Sequence, residues 1–180
     1  ILLIQPWDEL FINLMHAKNF AEHGAFSFNL LKHTEGTVDF LPYFLIGVLT
    51  KAGLPTLELA FLMSLLGGIL CIYFCTCILK GLGTKSAETW APLALATYPP
   101  LLYNASHGFS TTVFCACILS ILYFFFIHQK KTIAWTLLAV LPLIRTEGAF
   151  CLFLFPCILW LRKERKSLVA LSLLSAVPII

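Results

Sequence analysis

The chain has 180 residues, 59% hydrophobic and 12% charged, with a formal net charge of +3 and a mean hydropathy of +0.90. A soluble globular domain averages about 45–50% apolar and about 25% charged residues, so this composition excludes an ordinary soluble domain and reads as membrane. There is no polybasic tail and no aromatic-basic interleaving, which excludes a nucleic-acid surface.

In chain order, Ile1–Pro6 is a short apolar stub with no start Met and no charged segment before it. It is expected to be the outer end of a first transmembrane helix. Asp8 and Glu9 follow at the edge of that stub and open the polar stretch Asp8–Asp39. Adjacent carboxylates at a bilayer edge repel each other and need water or partners, a cost that suggests function. Leu10, Leu14, Ala17 and Ala21 recur at helical spacing, with Asn13, His16, Lys18 and Glu22 on other faces. This predicts an amphipathic helix in the headgroup plane, with Asp8 and Glu9 in its first turn and Gly24 as its stop.

Phe40–Thr50 is apolar but short. Leu57–Leu79 meets the requirement of about 20 mostly apolar residues for a span, with Glu58 at its edge. Ala87–Tyr103 contains Pro92 and the Pro99-Pro100 pair, which must kink or end it. Phe109–Ile127 is a span without charge. Thr132–Ile144 and Ala149–Leu161 are again short, the lengths of re-entrant or half-depth helices. Ser167–Ile180 stops inside an apolar run, so the chain reads as the N-terminal part of a longer polytopic protein. The seven cysteines lie almost wholly in apolar runs without metal-ligand spacing and read as small buried helix residues. Gly67-Gly68 suggests close helix packing, and Trp7, Trp90, Trp135 and Trp160 near helix ends suggest interfacial anchors. Asn104-Ala105-Ser106 is an N-x-S sequon.

Basic clusters orient the spans. Placing Lys80 with Lys85, Lys130-Lys131, and the Arg162–Lys166 cluster in the cytoplasm makes Phe40–Thr50 fail to cross. Asp8–Asp39, Asn104–Gly108 and Arg145–Gly148 then share the outer side. Asp8, Glu9, Glu35, His107, Arg145 and Glu147 converge on one face. The expected fold is all-α, a polytopic transmembrane helical bundle with an amphipathic interfacial helix in the first outer loop. Its divisions are 1–7 (end of a truncated first transmembrane helix), 8–39 (outer loop) and 40–180 (transmembrane region, truncated at its C-terminus).

Asp8–Asn29, DELFINLMHAKNFAEHGAFSFN, resembles the first outer loop of bacterial membrane glycosyltransferases of the GT-C fold. The nearest branch includes the mycobacterial terminal arabinofuranosyltransferase-like proteins. HTEGTVDF at His33–Phe40 is similar to that branch's VEGYT-type motif, SHGFSTT at Ser106–Thr112 to its SGLET-like motif, and RTEG at Arg145–Gly148 to its RPEG-like motif. The strings follow the family order over nearly the whole chain. Met15 stands where the family often has Arg, and Ser110 where it often has Glu. The resemblance implies an inverting sugar transfer from a polyprenyl-phosphate donor to a glycan, lipid or protein acceptor. It places the enzyme in a bacterial inner membrane with the active face outward, and gives a first-loop acid as general base.

In chemical terms the transfer needs a base for the acceptor hydroxyl and a cation for the leaving phosphate. Asp8 is the candidate base and Glu9 the second; the alternative is a helix N-cap beside a solvated acid. Arg145, with His107, is the candidate phosphate holder; the alternatives for Arg145 are a structural pair with Glu147 or snorkelling to headgroups. Glu35, His33 and Glu147 are candidates for binding sugar or acceptor. Glu35 could also take a divalent metal or serve only as a turn residue, and the histidines could simply be solvated. Lys18 and Lys32 read as contacts to anionic membrane lipids. No cofactor is required by these residues. A transporter or lipid flippase, or a non-catalytic subunit of the same fold, is the alternative function.

Overall fold

The computed structural model describes residues 8–30, 39–83 and 85–161. Among them the fold is all-helical: α1 (Asp8–His23), α2 (Phe40–Lys51), α3 (Thr56–Gly81), α4 (Lys85–Ala96), α5 (Pro99–Ser106), α6 (Thr111–Leu122), α7 (Lys131–Ile144) and α8 (Gly148–Leu161). A π-helical turn, Tyr123–Ile127, prolongs α6. The short apolar runs each form one helix at nearly the predicted bounds. The Ala87–Tyr103 segment divides into α4 and α5 at Thr97-Tyr98, where Pro99 and Pro100 supply no N–H to continue α4.

At 26 residues α3 is about 39 Å long and apolar enough to cross a membrane. The α5–α6 pair meets the same test only if its two helices, bent by 118°, count as one broken span. The described residues therefore carry one clear span. α3 is not a fully buried helix: 22% of its most apolar window is buried, and Leu57, Leu65, Ile69 and Tyr73 face outward.

α3 and α6 run parallel. Thr112 Oγ1 donates to the Ser64 carbonyl at 2.8 Å, Cys71 Sγ donates to the Thr112 carbonyl at 3.3 Å, and the Phe74 and Tyr123 rings lie 5.8 Å apart. α7 returns antiparallel, with Trp135 against Phe125 near one end and Arg145 bonded to Thr111 at the other. Lys80 and Lys131 thus sit at one end of the packed helices and Asp39, Ser110 and Arg145 at the opposite end. The Arg162–Lys166 cluster lies outside the described residues.

One core joins α6, α7 and α8 through Ile121, Phe125, Trp135, Leu138, Leu141 and Phe155. Trp135 is therefore a core residue, 8% exposed, and not an interfacial anchor. Trp90 is exposed, and Trp7 lies outside the described residues. A second core joins α1, α2 and α3 through Leu10, Ala17, Tyr43, Ile46 and Ala60.

α1 departs from its predicted polarity. Lys18 and Glu22 are exposed and paired at 3.8 Å, but Asn13, His16 and Asn19 are buried. His16 Nδ1–H donates to the Ile12 carbonyl at 2.8 Å, between the rings of Phe26 and Phe28. Asn19 donates to the carbonyls of Ser27 and Phe28, folding the chain back beyond Gly24. Gly24 stops the helix as predicted, at φ 74°. The polar residues share the inner face because each finds a backbone, ring or side-chain partner there, which an alternation of polar and apolar letters does not reveal.

Gly67 is where α3 and α6 meet most closely. A Cβ there would stand 2.6 Å from Thr112 Oγ1 and 2.6 Å from the Val113 nitrogen. At Gly68 it would meet the Ala105 methyl at 3.0 Å. Gly67→Ala is expected to cost roughly 1–3 kcal/mol by overpacking, and Gly68→Ala clearly less. Thermal unfolding in detergent measures both, and a Gly67→Ala protein as stable as the parent would contradict this packing.

Candidate functional site

The polar end of the bundle is assembled by three turns. At the first, Gly108 has φ +80°, a left-handed conformation that suits glycine. Its N–H donates to Ser64 Oγ at 3.1 Å, and its carbonyl accepts from the buried Tyr43 hydroxyl at 3.0 Å. This anchoring sets Ser110 and Thr111 at the start of α6. At the second, α7 leaves helical geometry at Arg145, and the Gly148 N–H donates to the Arg145 carbonyl at 2.9 Å. Gly148 is pressed against the Leu141 backbone, where a Cβ would stand 2.6 Å from the carbonyl carbon. At the third, Asp39 immediately precedes α2, but its side chain makes no capping bond to that helix. The carboxylate is left to face Arg145.

Arg145 gathers these turns. Its Nη1 donates to Thr111 Oγ1 at 2.8 Å. Glu147 takes the side-on fork, with Oε1 2.9 Å from Nη2 and Oε2 3.3 Å from Nε. Asp39 Oδ1 lies 3.5 Å from Nε, and Asp39 Oδ2 accepts from Asn13 Nδ2 at 3.4 Å. The Asp39 side chain is 10% exposed, that of Arg145 22% and that of Glu147 50%.

Burial pushes the Asp39 carboxyl above its ordinary range, against the opposing pull of the Ser110 hydroxyl and Arg145; Glu147 and Glu9 add to the rise. The hydrogen bond from Arg145 holds Glu147 below the usual carboxylate range. Burial opposes the Arg145 charge, and the Glu147 and Asp39 carboxylates more than offset it.

The predicted site residues divide as follows. Arg145 and Glu147 come together, in the paired arrangement weighed as the structural alternative. Glu9 is exposed in the first turn of α1 and acts electrostatically on both Asp39 and Arg145. Asp8 opens α1, and its side chain lies outside the described set. His33 and Glu35 also lie outside the described residues. The described contacts of His107 stay local: it stacks on Tyr103 at 4.1 Å, and its Nδ1 is 2.7 Å from the Tyr103 carbonyl and 3.0 Å from Ser106 Oγ. Those contacts join it to the end of α5 and not to Arg145. Asn104 is likewise helical, donating to the Pro100 carbonyl, and is not part of a loop. Among the described residues no cluster of His, Cys, Asp or Glu suits a metal ion.

Asp39, Asn13 and Thr111 were not among the predicted site residues. The available signal was an acidic residue at the N-cap position of an otherwise apolar helix. Such a residue caps the helix or serves something else, and here it serves Arg145.

Beside this polar end lies an apolar cavity of about 500 Å³ between α2, α3, α6 and α7. Leu45, Leu49, Met63, Leu66, Val113, Leu137 and Ile144 are among its lining residues. Ile144 lines it one residue before Arg145. Comparisons with protein-family models, curated proteins and solved structures return no match.

Arg145→Gln would leave the buried Asp39 charge without its cation. The expected cost at pH 7.5 is about 3 kcal/mol, the low end for a broken buried pair, because Arg145 keeps some exposure. The sign with pH follows from Asp39. With its folded pKa raised, the folded state holds the proton more tightly, so stability falls as pH rises through the window above the ordinary carboxylate value. A protonated Asp39 needs no cation, so the Gln variant should lose less at pH 5. Melting curves of both proteins at the two pH values test this; equal losses would mean that Asp39 is not the stranded charge.

Proposed function

We propose that this chain forms part of an integral membrane glycosyltransferase. It takes a sugar from a polyprenyl-phosphate donor and transfers it with inversion to a hydroxyl acceptor at the polar end of the bundle. The observation that carries this reading is the apolar groove between α2, α3, α6 and α7, whose lining includes Ile144, the residue that precedes Arg145. A hydrocarbon chain suits the groove, and a phosphate suits the cation. The outward apolar face of α3 supports a membrane setting, since exposed apolar area of that extent is costly in water. The motif resemblance of the first-loop, SHGFSTT and RTEG segments agrees with it. The surrounding membrane would be crossed by further spans, as the hydropathy pattern suggests.

Arginine has five N–H donors. Nε–H donates to Glu147, with Asp39 Oδ1 3.5 Å from Nε as a charge contact; one N–H of Nη1 goes to Thr111, and one of Nη2 goes to Glu147. Among the described residues, one N–H on each terminal nitrogen takes no partner, which suits a phosphate.

In the transfer, the acceptor hydroxyl gives its proton to a carboxylate of the Asp8-Glu9 pair. The acceptor oxygen attacks the anomeric carbon from the side opposite the phosphate. The bond from that carbon to the phosphate oxygen breaks, and its electron pair leaves with the phosphate. Negative charge grows there, where Arg145 stabilises it more than in the ground state. Glu9 is the exposed carboxylate in electrostatic reach of Arg145, which suits a base meeting an acceptor from water. A second reading, a non-catalytic subunit of the same architecture, draws on the Glu147 fork that already occupies Arg145 and on Met15 and Ser110.

Membranes containing the protein, given a labelled polyprenyl-phosphate sugar, should transfer label to an acceptor. Asp8→Asn and Glu9→Gln, made singly and together, should lower turnover by about 10²–10⁴-fold at whichever residue is the base. Full activity in the double variant would remove the pair from the mechanism, and no transfer by the parent would favour the non-catalytic reading. Met63→Trp, which fills the groove, should raise the donor KM while leaving expression unchanged.

A further inference from the structure

Arg145 has three anchors, and they are not equivalent. Glu147 lies on the same turn and moves with it. Thr111 offers a neutral hydroxyl from α6. Asp39 is the charged anchor from the first-loop side, 106 positions away in sequence, and it is also bonded to Asn13 on α1. Asn13 stands one helical turn beyond Glu9, on the same side of α1. A continuous chain of contacts therefore runs from the helix that carries Glu9, through Asn13 and Asp39, to Arg145.

We infer that Asp39 is the positioning residue of this site: from the start of α2 its carboxylate, 3.5 Å from Arg145 Nε, holds the guanidinium by charge, so that the remaining N–H groups stand at a set distance from the α1 carboxylates. The inference rests on the reading of this site as one for a lipid phosphate. Asp39 does not take the acceptor proton. One of its oxygens faces Arg145, the other accepts from Asn13, and its side chain is 10% exposed, whereas Glu9 meets solvent. It acts through Arg145.

The probe is polyprenyl monophosphate, titrated into the purified protein in detergent and followed by tryptophan fluorescence, with polyprenyl alcohol as the phosphate-free control. Asp39→Asn should weaken phosphate-lipid binding about tenfold or more, the effect of misaligning one hydrogen bond to a charged group. The alcohol should bind as before. Arg145→Lys, which keeps the charge and loses the fork, should weaken binding by a similar factor. Adding Asp39→Asn to Arg145→Lys should cost no more than about twofold further, because the fork that Asp39 orients is already gone. Parent-like binding by Asp39→Asn, or losses that multiply in the double variant, would overturn the proposal. Should Asp39→Asn fail to fold, Asn13→Ala keeps the ion pair, and a threefold or greater loss of phosphate binding, with the alcohol unaffected, is expected from it; no loss would count against the proposal.

The outcomes also separate this inference from the transfer reaction. A parent protein that binds the lipid phosphate and moves no sugar leaves Asp39 in its role and removes the transfer. A parent that moves sugar while Asp39→Asn binds normally removes Asp39 alone. A parent that does not bind the phosphate removes both.

Discussion

The contact between Asp39 and Arg145 is the interaction on which the polar end depends. Each charge is largely removed from water, and each is tolerable there because of the other. The pair ties the start of α2 to the end of α7, where Leu41 also packs against the core of α6, α7 and α8. Thr111 draws the start of α6 to the same guanidinium, and Asn13 draws in α1.

The apolar body obeys a different constraint. α3 and α6 approach until the Thr112 backbone lies where a Gly67 side chain would be, and Thr112 and Cys71 bond across the contact. Close backbone approach and cross-helix hydrogen bonds are the devices of helices that have little hydrophobic drive to associate. α2 and α7 are too short to close the space beside this pair, and the groove is what remains. The groove is lined by hydrocarbon and reaches Ile144, the residue before Arg145, which is why the substrate class proposed above has a lipid and a phosphate in one molecule.

Helix existence was legible throughout. Apolar run length predicted the bounds of α2, α3, α7 and α8 to within a few residues, Gly24 the stop of α1, and Pro99-Pro100 the break after α4, because these signals act locally on the backbone. Charge clustering also predicted that the Lys130-Lys131 turn and the Arg145 turn would lie at opposite ends. Side-chain roles were less legible. The α1 stripe of Leu10 and Ala17 did mark an inner face, but Asn13 and His16 joined it because partners from Asp39, Ile12 and Phe26 made their burial tolerable. Trp135 left the interface for a core in which Phe125 and Phe155 surround it.

The sequence by itself determined a helical, strongly apolar chain whose acidic first loop and RTEG turn belong to one end, since hydropathy, proline chemistry and charge asymmetry are additive along the chain. The Glu147 pairing was open to the sequence, two residues from Arg145, but that Asp39 also meets Arg145 was decided by the tertiary structure alone. Asp39, Glu147 and Glu9 are equivalent as letters, and they became a buried anchor, a side-on partner and a solvent-facing acid only once helices distant in sequence fixed how much water each retained.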